Sequence, residues 1–294
     1  MGRQLVPALR ESFSIVAISK LLSSPFPADV VNVAHPFGSS GEYSGVLADC
    51  SAVVWLASTS TPGSSVGNPL KELDENLRPF FMLLSALQQH PQCELLYIST
   101  GGAIYGDVSG GRASEDLRLC PKSYYSAGKA AAEHFISAFC HQYGCRATIL
   151  RPSNVYGQGQ TCREGFGIIP AAFNALVNDS EFTIWGGGET VRDYLNIDDF
   201  TALCGNVLTR SMTATVSTFN ASSGNAVSVD ELLAAIERIT GKALRRNYRQ
   251  PRSIDVSRIV LDNSKTRAAF DWQPSVELDQ GLERAWQWFQ NNRP

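Results

Sequence analysis

The stretch Cys93–Asp107, CELLYISTGGAIYGD, and after a charged loop Pro121–Phe135, PKSYYSAGKAAAEHF, decide how this chain is read. The apolar run ELLYI reads as a buried strand ending in Ser99 and Thr100, and Gly101 and Gly102 mark a turn. The second segment, rich in small residues, reads as a helix with Tyr125 and Lys129 four residues apart. That spacing is just over one helical turn, so phenol and ammonium share a face and can act on one site.

Toward the N-terminus, RQLVPALRE (3–11) has Leu5, Val6 and Leu9 at helical spacing. SIVAIS (14–19) and ADVVNVA (28–34) read as short strands, and a short helix is expected near Glu42 to Asp49. SAVVWLAS (51–58) is continuously apolar, as expected where both sheet faces are covered. Strands alternating with helices predict a parallel α/β sheet. STSTPGSSVGNP (58–69) reads as a loop, LKELDENLRPFFMLLSALQQH (70–90) as a helix kinked at Pro79, and CRATILRPSNVYGQG (145–159) as a strand entering a glycine-bounded loop.

Beyond Gly159 the pattern becomes mixed. GIIPAAFNALV (167–177) and VDELLAAIERITG (229–241) read as helices, the latter ending at Gly241. FTIWGGGETVRDYLNIDD (182–199) has strand and turn character, STFNASSG (217–224) is a strand entering a polar turn, and LDQGLERAWQWFQ (278–290) closes the chain as an amphipathic helix. The expected organisation is a Rossmann-like parallel sheet over 1–158 with a return segment at about 196–222. A smaller mixed α/β lobe would use 159–195 and 223–294.

The chain has 294 residues, 44% hydrophobic and 18% charged, which fits a folded protein with a substantial core. A net charge of -3 argues against nucleic acid or an anionic membrane as partner. Seven scattered cysteines, odd in number and without CxxC pairs, read as reduced thiols, and Cys140, His141 and Cys145 lack the second ligand pair of a zinc site. No metal is expected. No run reaches the roughly 18 apolar residues of a membrane span, and the charged N-terminus does not fit a signal peptide, so the expected location is the cytoplasm.

A free tyrosine with pKa near 10 is a poor base at neutral pH. A nearby ammonium stabilises its phenolate, so Tyr125 beside Lys129 can exchange a proton with an alcohol, while Thr100 or Ser99 holds the same oxygen. These groups make a proton-transfer site for alcohol oxidation by hydride loss.

With these motifs the chain resembles the extended short-chain dehydrogenase/reductase family, and within it the NAD-dependent nucleotide-sugar epimerase/dehydratase group. STGGAIYGD, YYSAGKAAAE, LRPSNVYGQGQ, TIWGGGETVRDYLNIDD, FNASSG and RAAFDWQP carry the resemblance in order along nearly the whole chain. The resemblance implies Thr100 or Ser99 as catalytic hydroxyl, Tyr125 as acid/base, and Lys129 as the group that tunes it and holds the nicotinamide ribose. It implies a cofactor site that also includes Gly2, Ala57, Ser58, Asn76, Ser99, Pro152 and Ser153. For a nucleotide-sugar substrate it implies Asn154, Thr183 and Trp185 around sugar and base, Arg192 at the diphosphate, and Arg252 with Asp255 at phosphate and ribose. A homodimer through helices in 70–90 and 123–142 is expected on the same grounds.

Dehydrating relatives carry acidic residues after the catalytic hydroxyl, whereas here Gly101, Gly102 and Ala103 follow Thr100, which favours plain 4-epimerisation of a UDP-hexose. Two departures stand out. The helix at the start has only Gly2 of the glycine fingerprint, so the expectation is a chain truncated before the family's first strand. Ser19 and Lys20 stand where an NAD-binding acid belongs, and AHP (34–36) replaces a glycine and aspartate; Lys20 would suit NADP. Two alternatives follow: an NADP-dependent reductase, or a degenerate member with weak cofactor binding.

Overall fold

A computed structural model describes residues 1–19, 26–34, 41–108, 110–162, 166–210 and 212–292. Lys20, His35, Pro36 and residues 38–40 of the GSSG stretch lie outside these. The first half runs α1 (Gly2–Leu9), β1 (Val16–Ser19), β2 (Val31–Ala34), α2 (Gly41–Leu47), β3 (Ala52–Trp55), α3 (Pro69–Glu72), α4 (Arg78–Leu87), β4 (Glu94–Ile98), α5 (Gly101–Ile104) and α6 (Tyr124–Tyr143). It continues through β5 (Ala147–Pro152), β6 (Asn154–Tyr156), α7 (Ile168–Asn178), β7 (Glu181–Trp185), β8 (Val191–Arg192), β9 (Tyr194–Asn196), α8 (Ile197–Thr209) and β10 (Val216–Ala221). The remainder is β11 (Val227–Ser228), α9 (Val229–Thr240), β12 (Arg245–Arg249), α10 (Ser264–Phe270) and α11 (Leu278–Asn291).

The main sheet has the order β10-β5-β4-β3, and every pairing in it is parallel. Its strands alternate between two cores: Leu95 and Tyr97 of β4 face one with Phe80, Leu83, Ile136 and Phe139, whereas Leu96 and Ile98 face another with Leu5, Leu150, Phe200 and Leu203. Two covered faces explain why ELLYI carries no polar alternation. Full burial of each such side chain stabilises by about 2 kcal/mol, so a Leu96→Asp change would break the sheet. β1 and β2 form a separate parallel pair, and among the described residues β3 has a strand partner only on its β4 side. A third core joins Ile169, Phe173, Phe182, Leu232, Ile236, Trp286 and Phe289 from α7, β7, α9 and α11.

Two elements differ in detail from the sequence reading. The helix expected over 70–90 is three pieces, with a π-helical turn at Leu73–Leu77 between α3 and α4. Pro79 falls in the first turn of α4, where its missing N–H and fixed φ are tolerated, and the π turn takes up the irregularity. The strand expected from 145 is divided into β5 and β6, and β6 pairs with β9. The helix bearing Tyr125 begins where its chemistry dictates. Ser123 and Ser126 form a reciprocal capping box, worth about 1 kcal/mol, and Gly144 ends α6 at φ 70.

Candidate active site

The parallel strands deliver Ala57 and Ser58, Ser99 and Thr100, and Pro152 and Ser153 to one edge of the sheet, the edge where open α/β folds bind ligands. Tyr125 enters this edge from the first turn of α6, half-buried, with the Thr100 side chain as its hydrogen-bond neighbour. Burial pushes the Tyr125 phenol up to about 12, and the Thr100 hydrogen bond works against that rise. Lys129 donates from Nζ to the Ile98 carbonyl at 2.8 Å and lies 4.9 Å from the Tyr97 ring centroid. Burial lowers its ammonium to about 8, while the carboxylates of Glu72 and Glu133 hold it up. A lysine this close to neutrality and a phenol beside a hydroxyl can relay a proton to a bound alcohol.

Ser99, one of the two candidate hydroxyls, has a different partner. Its Oγ donates to Glu133 Oε1 at 2.5 Å, and Glu133 in turn receives Arg151 NH2 at 2.6 Å in a buried pair. Arg151 NH1 reaches Tyr105 Oη at 2.8 Å, and Tyr105 donates to Asn220 Oδ1 at 2.7 Å. This network ties β4, α6, β5 and β10 together and leaves Thr100 as the hydroxyl that meets Tyr125. Gly101 is needed at the turn because a Cβ there would lie 2.8 Å from the Arg151 carbonyl and 2.3 Å from Leu261 Cδ1.

The remaining residues assigned to a cofactor lie at or near these strand ends. Gly2 packs toward Leu56, next to Ala57, and the Ser58 hydroxyl donates to the Ser60 carbonyl at 3.3 Å. Asn76 accepts from the Thr59 N–H at 2.8 Å and donates to Ser60 Oγ at 2.9 Å, so it shapes the loop after β3. Ser65 from the same loop accepts the Tyr125 N–H at 3.2 Å and closes the loop over the start of α6. Pro152 and Ser153 are buried at the end of β5. Ser19 ends β1.

On the substrate side the structure connects the predicted residues in series. Asn154 Oδ1 is 3.5 Å from where a Cβ of Gly102 would stand, and Asn154 Nδ2 donates to the Asp193 carbonyl at 3.2 Å. Arg192, next in sequence, donates to the Val191 carbonyl at 3.0 Å and lies in the field of Asp255 and Asp107. Burial lowers its guanidinium below the ordinary arginine range. Arg252 forms a two-point pair with Asp255 at 2.8 and 2.9 Å and lies 5.2 Å from the Trp185 ring centroid. Thr183 and Trp185 share the exposed face of β7.

Several buried polar residues of the site escape single-residue inspection of the sequence: Glu72 and Ser60 beneath Tyr125, Glu133 and Arg151 behind Ser99, and Asp193. The Asp193 carboxylate accepts from the Ser223 N–H, the Ser223 hydroxyl and the Gly224 N–H at 2.8 to 3.0 Å, which locks the turn after β10. Cys140 and Cys145 are buried free thiols, and among the described residues no group of His, Cys, Asp and Glu is arranged to hold a metal. No helix among the described residues is long and apolar enough to cross a membrane.

Comparison with known proteins bears on the family and the fold. The model of the NAD dependent epimerase/dehydratase family matches residues 1–221. A UDP-glucose 4-epimerase of Mycolicibacterium smegmatis is 28% identical over 252 residues, 85% of this chain and 80% of that one. The solved UDP-glucose 4-epimerase of Thermotoga maritima with UDP-glucose superposes with a TM-score of 0.91 at 25% identity, covering 99% of this chain and 95% of that one. The Thermus thermophilus UDP-glucose 4-epimerase complex with NAD gives 0.91 at 27% identity, covering 98% and 95%. The chain belongs to the NAD dependent epimerase/dehydratase family, enzymes of the extended short-chain dehydrogenase/reductase type.

Proposed function

We propose that this enzyme is a nucleotide-sugar 4-epimerase acting on a UDP-hexose with NAD. The observation that supports it is the series of contacts from Tyr125 and Thr100 through Gly102 and Asn154 to the Asp193 carbonyl, with Arg192 in the field of Asp255 and Arg252 paired to Asp255 beside Trp185. It gives one elongated ligand a proton-transfer end and a cationic, aromatic end. Gly101, Gly102 and Ala103 supply no carboxylate beside the reacting carbon, which supports epimerisation over elimination.

At the strand ends Ala57, Ser58, Pro152 and Ser153 would line a nicotinamide nucleotide, Gly2 would approach it, and Lys129, held beside the Tyr97 ring at the Ile98 carbonyl, would reach its ribose. When bound, NAD supplies the hydride acceptor and donor chemistry. Tyr125 takes the proton from the sugar 4-hydroxyl and gives it back after the 4-keto sugar has turned over. Thr100 holds that oxygen, and Lys129 stabilises the phenolate. Arg192 and Arg252 suit the diphosphate because guanidinium offers a planar fork of donors, Trp185 offers a face to the base, and Asp255 and Thr183 offer acceptors to ribose and sugar.

The test is conversion of UDP-glucose in the presence of NAD. The expected result is an epimeric UDP-sugar with no net formation of reduced cofactor. Stoichiometric cofactor consumption would instead establish a reductase. The cofactor lobe over 1–158 with its return segment, and the substrate lobe in 159–195 and 223–294, are part of the same proposal. So is a homodimer: the Phe81 and Phe135 rings meet tilted at 4.3 Å between centroids on the α4/α6 face, where Phe135 is 52% exposed. A monomer by light scattering would remove the dimer.

A further inference from the structure

Glu72 lies beneath the Tyr125 helix with its carboxylate buried, an arrangement that costs several kcal/mol unless the charge has a purpose or a partner. Its Oε2 accepts from Ser60 Oγ at 2.5 Å, and Asn76 braces that serine from one turn later on the same face. The helix above makes room for it. A Cβ on Gly128 would stand 2.5 Å from Glu72 Oε1 and 2.9 Å from its Cγ, so glycine at this position and glutamate at 72 fit as a pair.

The charges around Lys129 show what the carboxylate is for. Lys129 is faced by the Tyr97 ring and Ile98 carbonyl from β4, by Glu133 from its own helix, and by Glu72 from α3. Glu133 is already neutralised by Arg151 through bonds of 2.6 to 3.2 Å and also receives Ser99. Two buried cations, Arg151 and Lys129, therefore face two buried carboxylates, and the geometry leaves Glu72 for Lys129. We propose that Glu72 is a positioning residue, the counter-charge that keeps Lys129 an ammonium in the active site, and that Gly128 is glycine to admit it. Burial raises the Glu72 carboxyl, while hydrogen bonds from Ser60 and Asn76 and the Lys129 charge draw it back toward ionisation. The catalytic meaning rests on the proposed role of Lys129 in the epimerase.

The test reads Lys129 directly. The chain has six lysines, so carbon-13 labelling at lysine Cε gives a small spectrum in which Lys129→Met identifies the resonance. Glu72→Gln keeps the shape and the Ser60 contact but removes the charge, and it should lower the Lys129 titration by about one pH unit, the order expected for loss of a nearby opposite charge. Gly128→Ala, which displaces the carboxylate without deleting it, should shift Lys129 in the same direction. In sugar conversion both variants should lose activity at a lower pH than the parent as pH rises, with kcat changed more than KM. An unchanged Lys129 titration in either folded variant overturns the proposal. A shifted titration in a chain whose parent converts no UDP-sugar upholds the counter-charge and overturns the epimerase reading instead.

Discussion

The two ends of the candidate site are built in opposite ways. Around Tyr125 the polar groups are buried and already hydrogen-bonded within the protein: Lys129 to the Ile98 carbonyl, Ser99 to Glu133, Glu72 to Ser60. Around Trp185 they lie on an exposed strand face, with Trp185 46% exposed and Arg252 neutralised by its neighbour Asp255. Burial shifts proton affinity at the first end, because desolvation acts on each ionised form. The second end offers charge that a ligand must win from Asp255, and this exchange is suited to binding energy more than to proton transfer. The difference implies that substitutions at the first end act on turnover and those at the second act on affinity.

The largest expected effect tests the first half of that statement. Tyr125→Phe deletes the proton carrier with almost no change of shape, and kcat should fall by about 1000-fold, with UDP affinity and melting temperature unchanged. A variant that retains turnover would remove Tyr125 from the mechanism. Next is the pair Thr100→Ala and Ser99→Ala. The first should lower kcat by about 100-fold, as expected for loss of one hydrogen bond to the reacting oxygen. The second should act mainly on stability, by about 1 to 3 kcal/mol in urea unfolding, because it strips a donor from buried Glu133. If Ser99→Ala proves the more damaging to kcat, the hydroxyl roles are reversed. Arg192→Ala probes the other end: the Kd for UDP should rise about tenfold while kcat at saturation stays within a factor of about two.

The distinction between the ends was unequally visible in the sequence. Strands over 52–55, 94–98 and 147–152 and the α6 helix were legible because unbroken apolar runs, glycine turns and a run of small residues report backbone geometry locally. The Tyr125–Lys129 pair was legible for the same reason, since both groups lie on one helix. Glu72, Glu133 and Arg151 were not, because each looks like an ordinary surface charge until the fold brings a partner from another element. Ser99 and Thr100 are adjacent and chemically alike, and only the Glu133 contact separates them. Asp193 lies beside Arg192 in sequence, but its carboxylate is satisfied by the backbone of Ser223 and Gly224, which no spacing rule in VRDY reveals. The π turn at 73–77 was hidden because the apolar stripe of 70–90 continues across it.

The smallest effect sharpens the comparison at its border, where the loop before α6 meets the segment carrying Arg252. Asp107 accepts from Lys122, from the Ser257 N–H at 2.5 Å and from the Ser257 hydroxyl at 2.8 Å. Partial burial raises its carboxyl, but the bonds from Lys122 and Ser257 outweigh that and hold it at about 2. A carboxylate depressed below its unfolded value of about 3.9 adds stability that is full above that pH and is lost as pH falls toward 2. The Asp107 side chain is 39% exposed, so screening reduces the contribution to less than about 1 kcal/mol. Asp107→Asn should therefore lower the urea midpoint slightly at pH 6 and match the parent near pH 2. Because Asp107 also faces Arg192, the same variant should change the Kd for UDP by about twofold and leave kcat untouched. A change in kcat with constant Kd would show that the loop over 107–122 couples to the proton-transfer end, and the division between turnover and affinity would then fail at this border.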